Sequence, residues 1–173
     1  IDGDGSPDLI LVMNLSKFAD SSTPHVFIAS YTWDGTNFSE IPSSTLDIGK
    51  ENRSLRCNNF QLLDQDADGD QEIVLSLGSP FRGFAIVNSL SGGLSLSKKI
   101  RPDQLLVGSG LLYVGVVDYD GDGYDDVVAL SPDGNTIKAQ PFYNIGGVFD
   151  SGHLVRKKID GIDGILTHSI KLT

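Results

Sequence analysis

Three short acidic segments in one frame constrain this chain more than any other feature. IDGDGSPDLILV from Ile1, LLDQDADGDQEIVLSL from Leu62 and VVDYDGDGYDDVVAL from Val116 superimpose without gaps, with Gly5, Gly69 and Gly123 in register and separated by 64 and 54 residues. A unit of that length is one supersecondary element that cannot bury its apolar face alone, so successive units must stack. The repeats start near residues 1, 64 and 118 and account for nearly all of the 173 residues, which read as a segment of one domain, 1–173.

The two full segments follow D-x-D-x-D-G-x-x-[DE], with Asp64, Asp66, Asp68 and Glu72 in one and Asp118, Asp120, Asp122 and Asp126 in the other. The first retains Asp2, Asp4 and Asp8, and its position-one ligand would precede Ile1. Alternate carboxylates in a tightly turning loop point at a common centre, Gly permits the turn, and position seven (Ser6, Asp70, Tyr124) offers its main-chain carbonyl. Such a hard, all-oxygen cage suits Ca²⁺ better than zinc or copper, and better than Mg²⁺, which retains more water. The expectation is two complete Ca²⁺ sites and one truncated at the N-terminus. Asp and Gly also dominate ordinary turns, but three in-phase copies, each followed by an apolar strand, favour cation sites. An EF-hand would need an acid at position twelve and flanking helices; those positions hold Leu11, Leu75 and Ala129.

Charge follows the repeat. The formal net charge is -10, and 13 of the 23 acids lie inside the three segments, leaving ten acids against 13 Lys and Arg elsewhere. Acidity that is local and repeated points to cation sites and disfavours a nucleic-acid partner, whose phosphates would meet dense carboxylates. The apolar runs, such as Leu9–Met13 and Leu111–Val117, are too short to cross a bilayer as helices, so no membrane insertion is expected in this segment. Cys57 is the sole cysteine, which excludes an intrachain disulfide and a Cys-based zinc site. It reads as a small buried hydrophobe.

Between the loops the sequence has hairpin grammar, with short apolar runs, Gly-rich turns and a total of 20 Gly. The first unit offers strands at Leu9–Met13, His25–Trp33 and, after an Asp34-Gly35 turn, Asn37–Pro42, with Gln61–Leu63 leading into the second loop. The second offers Ile73–Leu77, Phe84–Asn88, a Ser91-Gly92-Gly93 turn and Leu94–Lys98, with Leu111–Val117 leading into the third. The third offers Val127–Leu130, a Pro132-Asp133-Gly134 turn, Thr136–Phe142 and Leu154–Lys158, and Ile165–Leu172 would begin a following unit.

These residues resemble the FG-GAP or VCBS repeats of integrin-α-like β-propellers, whose DxDxDGxxD loops join the first and second strands of each blade. The Phe-Gly and Gly-Ala-Pro signatures of the integrin pattern are absent, so the VCBS form is the nearer resemblance. It implies an all-β propeller segment of about three four-stranded antiparallel blades. Three blades cannot close a ring, so the remaining blades of a larger propeller, of about six to eight, would be partners of this segment. It further implies a Ca²⁺-stapled extracellular module, secreted, on the cell surface or periplasmic, that binds a protein or glycan without catalysis. The alternative is a propeller in a polysaccharide-degrading lyase or hydrolase.

No catalytic constellation stands out. His25, His153 and His168 are scattered, and no nucleophile elbow, zincin or phosphate loop occurs. Carboxylates that chelate a cation are held ionised and make poor proton shuttles. Trp33 suits either a sugar platform or packing between blades, and packing is the commoner use of a large aromatic. Tyr119 and Tyr124 lie within the third loop and either cover it or meet a partner. The runs Lys98-Lys99-Arg101 and Arg156-Lys157-Lys158 read as edge protection, with acidic polysaccharide as the other possibility. Asn14, Asn37 and Asn52 each begin an N-x-Ser sequon.

Overall fold

Period-two alternation of Val, Ile, Leu and Phe between Gly- and Asp-rich turns builds a chain of strands. The computed structural model describes residues 6, 8–15, 25–48, 55–90, 93–102, 113–133, 136–153 and 155–158. Among these there are twelve strands and no helix. The first sheet holds β1 (Asp8–Leu15), β2 (His25–Thr32) and β3 (Ser44–Ile48) in that order. The second holds β4 (Cys57–Leu63), β5 (Glu72–Leu77), β6 (Gly83–Leu90) and β7 (Gly93–Ile100). The third runs β8 (Tyr113–Val117), β9 (Asp126–Asp133), β10 (Thr136–Ile145) and β11 (Val148–Ser151), and β12 (Val155–Lys158) pairs with the other end of β10. Every pairing is antiparallel.

The two central strands of the middle sheet, β5 and β6, are buried on both faces. Ile73, Leu75 and Leu77 of β5 and Ala85 and Val87 of β6 pack against Val26, Ile28 and Ile48 of the first sheet. Their strand neighbours Val74, Phe84 and Ile86 point the other way, onto Val114, Val127, Ala129 and Phe142 of the third. Alternation that would leave an edge sheet half wet thus fills two cores, and all six residues of β5 are buried. Phe84 is fully buried and meets Phe142 edge-to-face at 5.0 Å. Truncating it to Ala would cost about 3–5 kcal/mol.

Between sheets, where no ladder exists, asparagines satisfy the backbone. Asn14 accepts from the Cys57 amide at 2.7 Å and donates to the Cys57 carbonyl at 2.8 Å. Asn59 does the same for Val114, at 2.9 and 2.8 Å. Asn59 lies where the β4 register shifts, and the Ser76 hydroxyl pairs with its backbone N–H and C=O at 2.8 and 3.0 Å. Buried main-chain groups need such partners.

Several elements depart from the sequence expectations. The strand expected at Asn37–Pro42 is a hairpin tip instead. Asp34 Oδ1 accepts the Thr36 and Asn37 amides at 2.8 and 2.7 Å, closing an Asx turn, Trp33 bridges only to Phe38, and the strand that pairs with β2 starts at Ser44. Trp33 packs on Phe38 of its own hairpin, ring centroids 4.9 Å apart, and contributes to neither sheet-to-sheet core. Pro132 and Asp133 belong to β9, paired with Ile137 and Thr136, so no turn occurs at these two residues. β11 was not foreseen; it is hung on β10 by the Gly146-Gly147 turn. Ile165–Leu172 lies outside the described residues.

Candidate metal centre

Both full acidic loops connect the first strand of a sheet to the second: residues 64–71 join β4 to β5 and 118–125 join β8 to β9. The apolar strands on either side are locked into the cores, so the polar segment between them must reverse within eight residues. It does so with the same bonds in both copies. The amide of the loop glycine donates to the first carboxylate, Gly69 to Asp64 at 3.2 Å and Gly123 to Asp118 at 3.1 Å. The position-seven amide donates to the position-five carboxylate, Asp70 to Asp68 and Tyr124 to Asp122, each at 2.9 Å. The position-two amide donates to the closing acid, Gln65 to Glu72 at 3.0 Å and Tyr119 to Asp126 at 2.8 Å. Gly69 and Gly123 share φ +93°, left-handed backbone that a side chain would strain. The fourth position is left-handed too: Gly121 at +82° in one loop and Ala67, without that freedom, at +60° in the other.

These bonds gather carboxylates. Asp64, Asp66 and Asp68 bring one oxygen each within 4.8 Å of one another, and so do Asp118, Asp120 and Asp126. That spacing allows three carboxylates to share one metal ion. Asp64 Oδ1 is buried without a hydrogen-bond partner, a costly state for an ionised oxygen that a cation relieves. In the second loop Glu72 is buried and close to the cluster. Burial foremost, then the charges of Asp66, Asp68 and Asp64, raise its pKa above the usual carboxylate range, against the Gln65 amide, which lowers it. Asp120 is likewise raised, by desolvation first and then by Asp122, Asp126 and Asp118.

Of the other expected ligands, Asp70 is half-buried, Tyr124 is half-buried, and Asp122 lies outside the three-carboxylate cluster with Oδ1 on the Tyr124 amide. Ser6 is exposed and Asp8 opens β1 opposite Thr32, whereas Asp2 and Asp4 lie outside the described residues. Tyr119 is half exposed and leans on Tyr143 at 6.0 Å.

Two residues absent from the repeat join the loops. Asp125 Oδ2 accepts the Asp64 amide at 3.3 Å. Asn144, buried on β10, donates its amide N–H to Asp126 Oδ1 at 2.7 Å and its side-chain NH₂ to the carbonyls of Gln65 and Asp125 at 2.7 and 3.1 Å. Its Oδ1 accepts the Gly147 amide at 2.8 Å. The only local signal at Asn144 is a Gly-Gly turn two residues on, and nothing in sequence ties it to an acidic loop 79 residues away.

No family model, curated protein or solved structure gives a significant match to this chain.

Proposed function

We propose that the chain is a run of blades from a Ca²⁺-stapled β-propeller of the FG-GAP or VCBS kind, acting as an extracellular module that binds a protein or glycan. The observation that carries this reading is the identity of the two acidic loops. They have the same place between the first and second strands of a sheet, the same three hydrogen bonds and the same glycine dihedral. Turns selected only for reversal have no reason to repeat eight carboxylates in phase. Further support comes from the stacking of three antiparallel sheets in chain order, each core shared by consecutive sheets.

The donor set fits Ca²⁺. Asp64, Asp66, Asp68 and Glu72 would hold one ion and Asp118, Asp120, Asp122 and Asp126 another, with the carbonyls of Asp70 and Tyr124 as neutral ligands. The unpartnered Asp64 Oδ1 gives the ion a buried oxygen to satisfy. Bound ions neutralise the like charges at the loop tips and pin the first two strands of each blade, so the binding surface is rigid before a ligand arrives. Carboxylates that chelate the ion would be held ionised, which makes them poor proton shuttles.

Calorimetric titration of the chain with Ca²⁺ tests the reading. The expected result is at least two sites filled near the ~10⁻⁴ M dissociation constants of extracellular modules, with Mg²⁺ binding more weakly. Absence of Ca²⁺ binding at millimolar concentration would remove the metal, and with it the case for the family.

A further inference from the structure

The end of the middle sheet opposite its acidic loop carries the opposite charge. β5 leaves loop 64–71, the chain reverses at residues 78–82, and β7 brings Lys99 and Ile100 back beside Ala85 and Phe84 at the start of β6. Arg101 therefore emerges next to the 78–82 turn. Ser79, Pro80, Phe81, Arg82 and Arg101 line an open cleft there, of about 350 Å³, within the size range of small-ligand sites.

The cleft is built rather than incidental. Gly83 has no side chain where a Cβ would collide with the Ile100 carbonyl and the Phe81 ring, so the ring folds back against the end of β7. Two cations then gather on that one ring: the Arg101 guanidinium 5.2 Å and the Lys99 ammonium 6.0 Å from its centroid. Among the described residues no carboxylate forms an ion pair with either. Like charges brought together repel, and an anion would reverse the sign of that interaction. Arg82, which completes the wall, is held at φ +54°, a conformation that costs a non-glycine residue and that tends to persist at ligand clamps.

We propose that this cleft binds the carboxylate of a uronic-acid glycan. The Arg101 fork matches a carboxylate, and exposed Pro80 supplies an apolar wall for the C–H face of the same sugar ring. By register, Arg156, Lys157 and Lys158 of β12 stand opposite Lys138, Ile137 and Thr136 at the same end of the third sheet. A glycan with one charge per sugar also meets less repulsion from a protein of net charge -10 than a duplex with a charge every ~1.7 Å. The proposal does not depend on metal at the loops.

The test is calorimetric or interferometric binding of the whole chain to glucuronate, galacturonate and mannuronate oligosaccharides at low salt, with neutral oligosaccharides and single-stranded DNA as controls. At least one uronate should bind, weaken with added salt, and lose roughly tenfold or more in affinity in Arg101→Gln, as expected when a charged hydrogen bond is removed. Lys99→Gln, at an exposed position on the same ring, should also weaken binding while changing the melting temperature little. No binding to any uronate, equal binding to neutral sugars, tighter binding to DNA, or full affinity in folded Arg101→Gln would each overturn it.

Discussion

The side-chain amide of Asn144 donates a 2.7 Å hydrogen bond to the carbonyl of Gln65, 79 residues earlier, and so ties the third sheet to the acidic loop of the second. The same side chain holds the Asp125 carbonyl and the Gly147 amide, and its backbone N–H holds Asp126. Both loops are therefore fixed by one buried residue. Asn144→Ala would leave several of these groups unpaired and should cost about 1–3 kcal/mol, read by urea denaturation. It should also weaken cation binding at both loops together. A change confined to one loop would show that the bridge couples nothing.

The raised pKa of Glu72 has a definite sign in the metal-free protein. Its folded value lies above its unfolded one, so its contribution to stability is fully present below the ordinary glutamate pKa and is lost as pH rises through the folded value. Glu72→Gln should accordingly raise the metal-free melting temperature near neutral pH and make little difference near about pH 4. With Ca²⁺ present the order reverses, because the carboxylate is then paired. Melting curves of both proteins across that range, in chelator and in Ca²⁺, would expose a wrong sign directly.

Cys57 is buried and its thiol is pushed up to about 12, chiefly by burial, with its hydrogen bond to the Asn59 carbonyl pulling the other way. Thiolate is the reactive form. Native protein should therefore resist alkylation near pH 8, and labelling should appear only as the chain unfolds. Rapid labelling of native protein would place the thiol in solvent.

The sequons differ in availability. The Asn14 side chain, though at an exposed position, bonds both the N–H and the C=O of Cys57, whereas Asn37 is exposed at the hairpin tip. Expressed through a eukaryotic secretory pathway, the chain should carry glycan at Asn37 and none at Asn14, by mass spectrometry of tryptic glycopeptides. Occupancy of Asn14 would mean that the first and second sheets come together after modification or not at all.

Most strands were legible because alternation and turn residues agree: the expected Ile73–Leu77 and Phe84–Asn88 lie inside β5 and β6. The acidic loops were legible because their carboxylates are local and repeated. Asn144 and Asp125 were not, since their roles come from how sheets stack, and neither belongs to the repeat. The hairpin tip at Asn37 was misread as strand because Phe38 and Ile41 look apolar, yet Ile41 is 76% exposed and nothing packs it into a core. Ala67 carries the left-handed turn that Gly121 carries in the third loop, so glycine alone did not mark that position.

The metal claim is tested most directly by thermal melts of the chain and of Asp66→Asn in Ca²⁺, Mg²⁺ and chelator. Asp66 is exposed and belongs to the second loop's carboxylate cluster, so its change bears on a bound ion more than on packing. With a dissociation constant near ~10⁻⁴ M and a hundredfold excess of Ca²⁺, each site should add about 2.7 kcal/mol, a large part of a domain's net stability. The melting temperature should rise in Ca²⁺, rise less in Mg²⁺, and lose part of the Ca²⁺ increment in Asp66→Asn while staying unchanged or rising slightly in chelator. Superimposable curves in all three solutions would mean that these loops are turns and hold no ion.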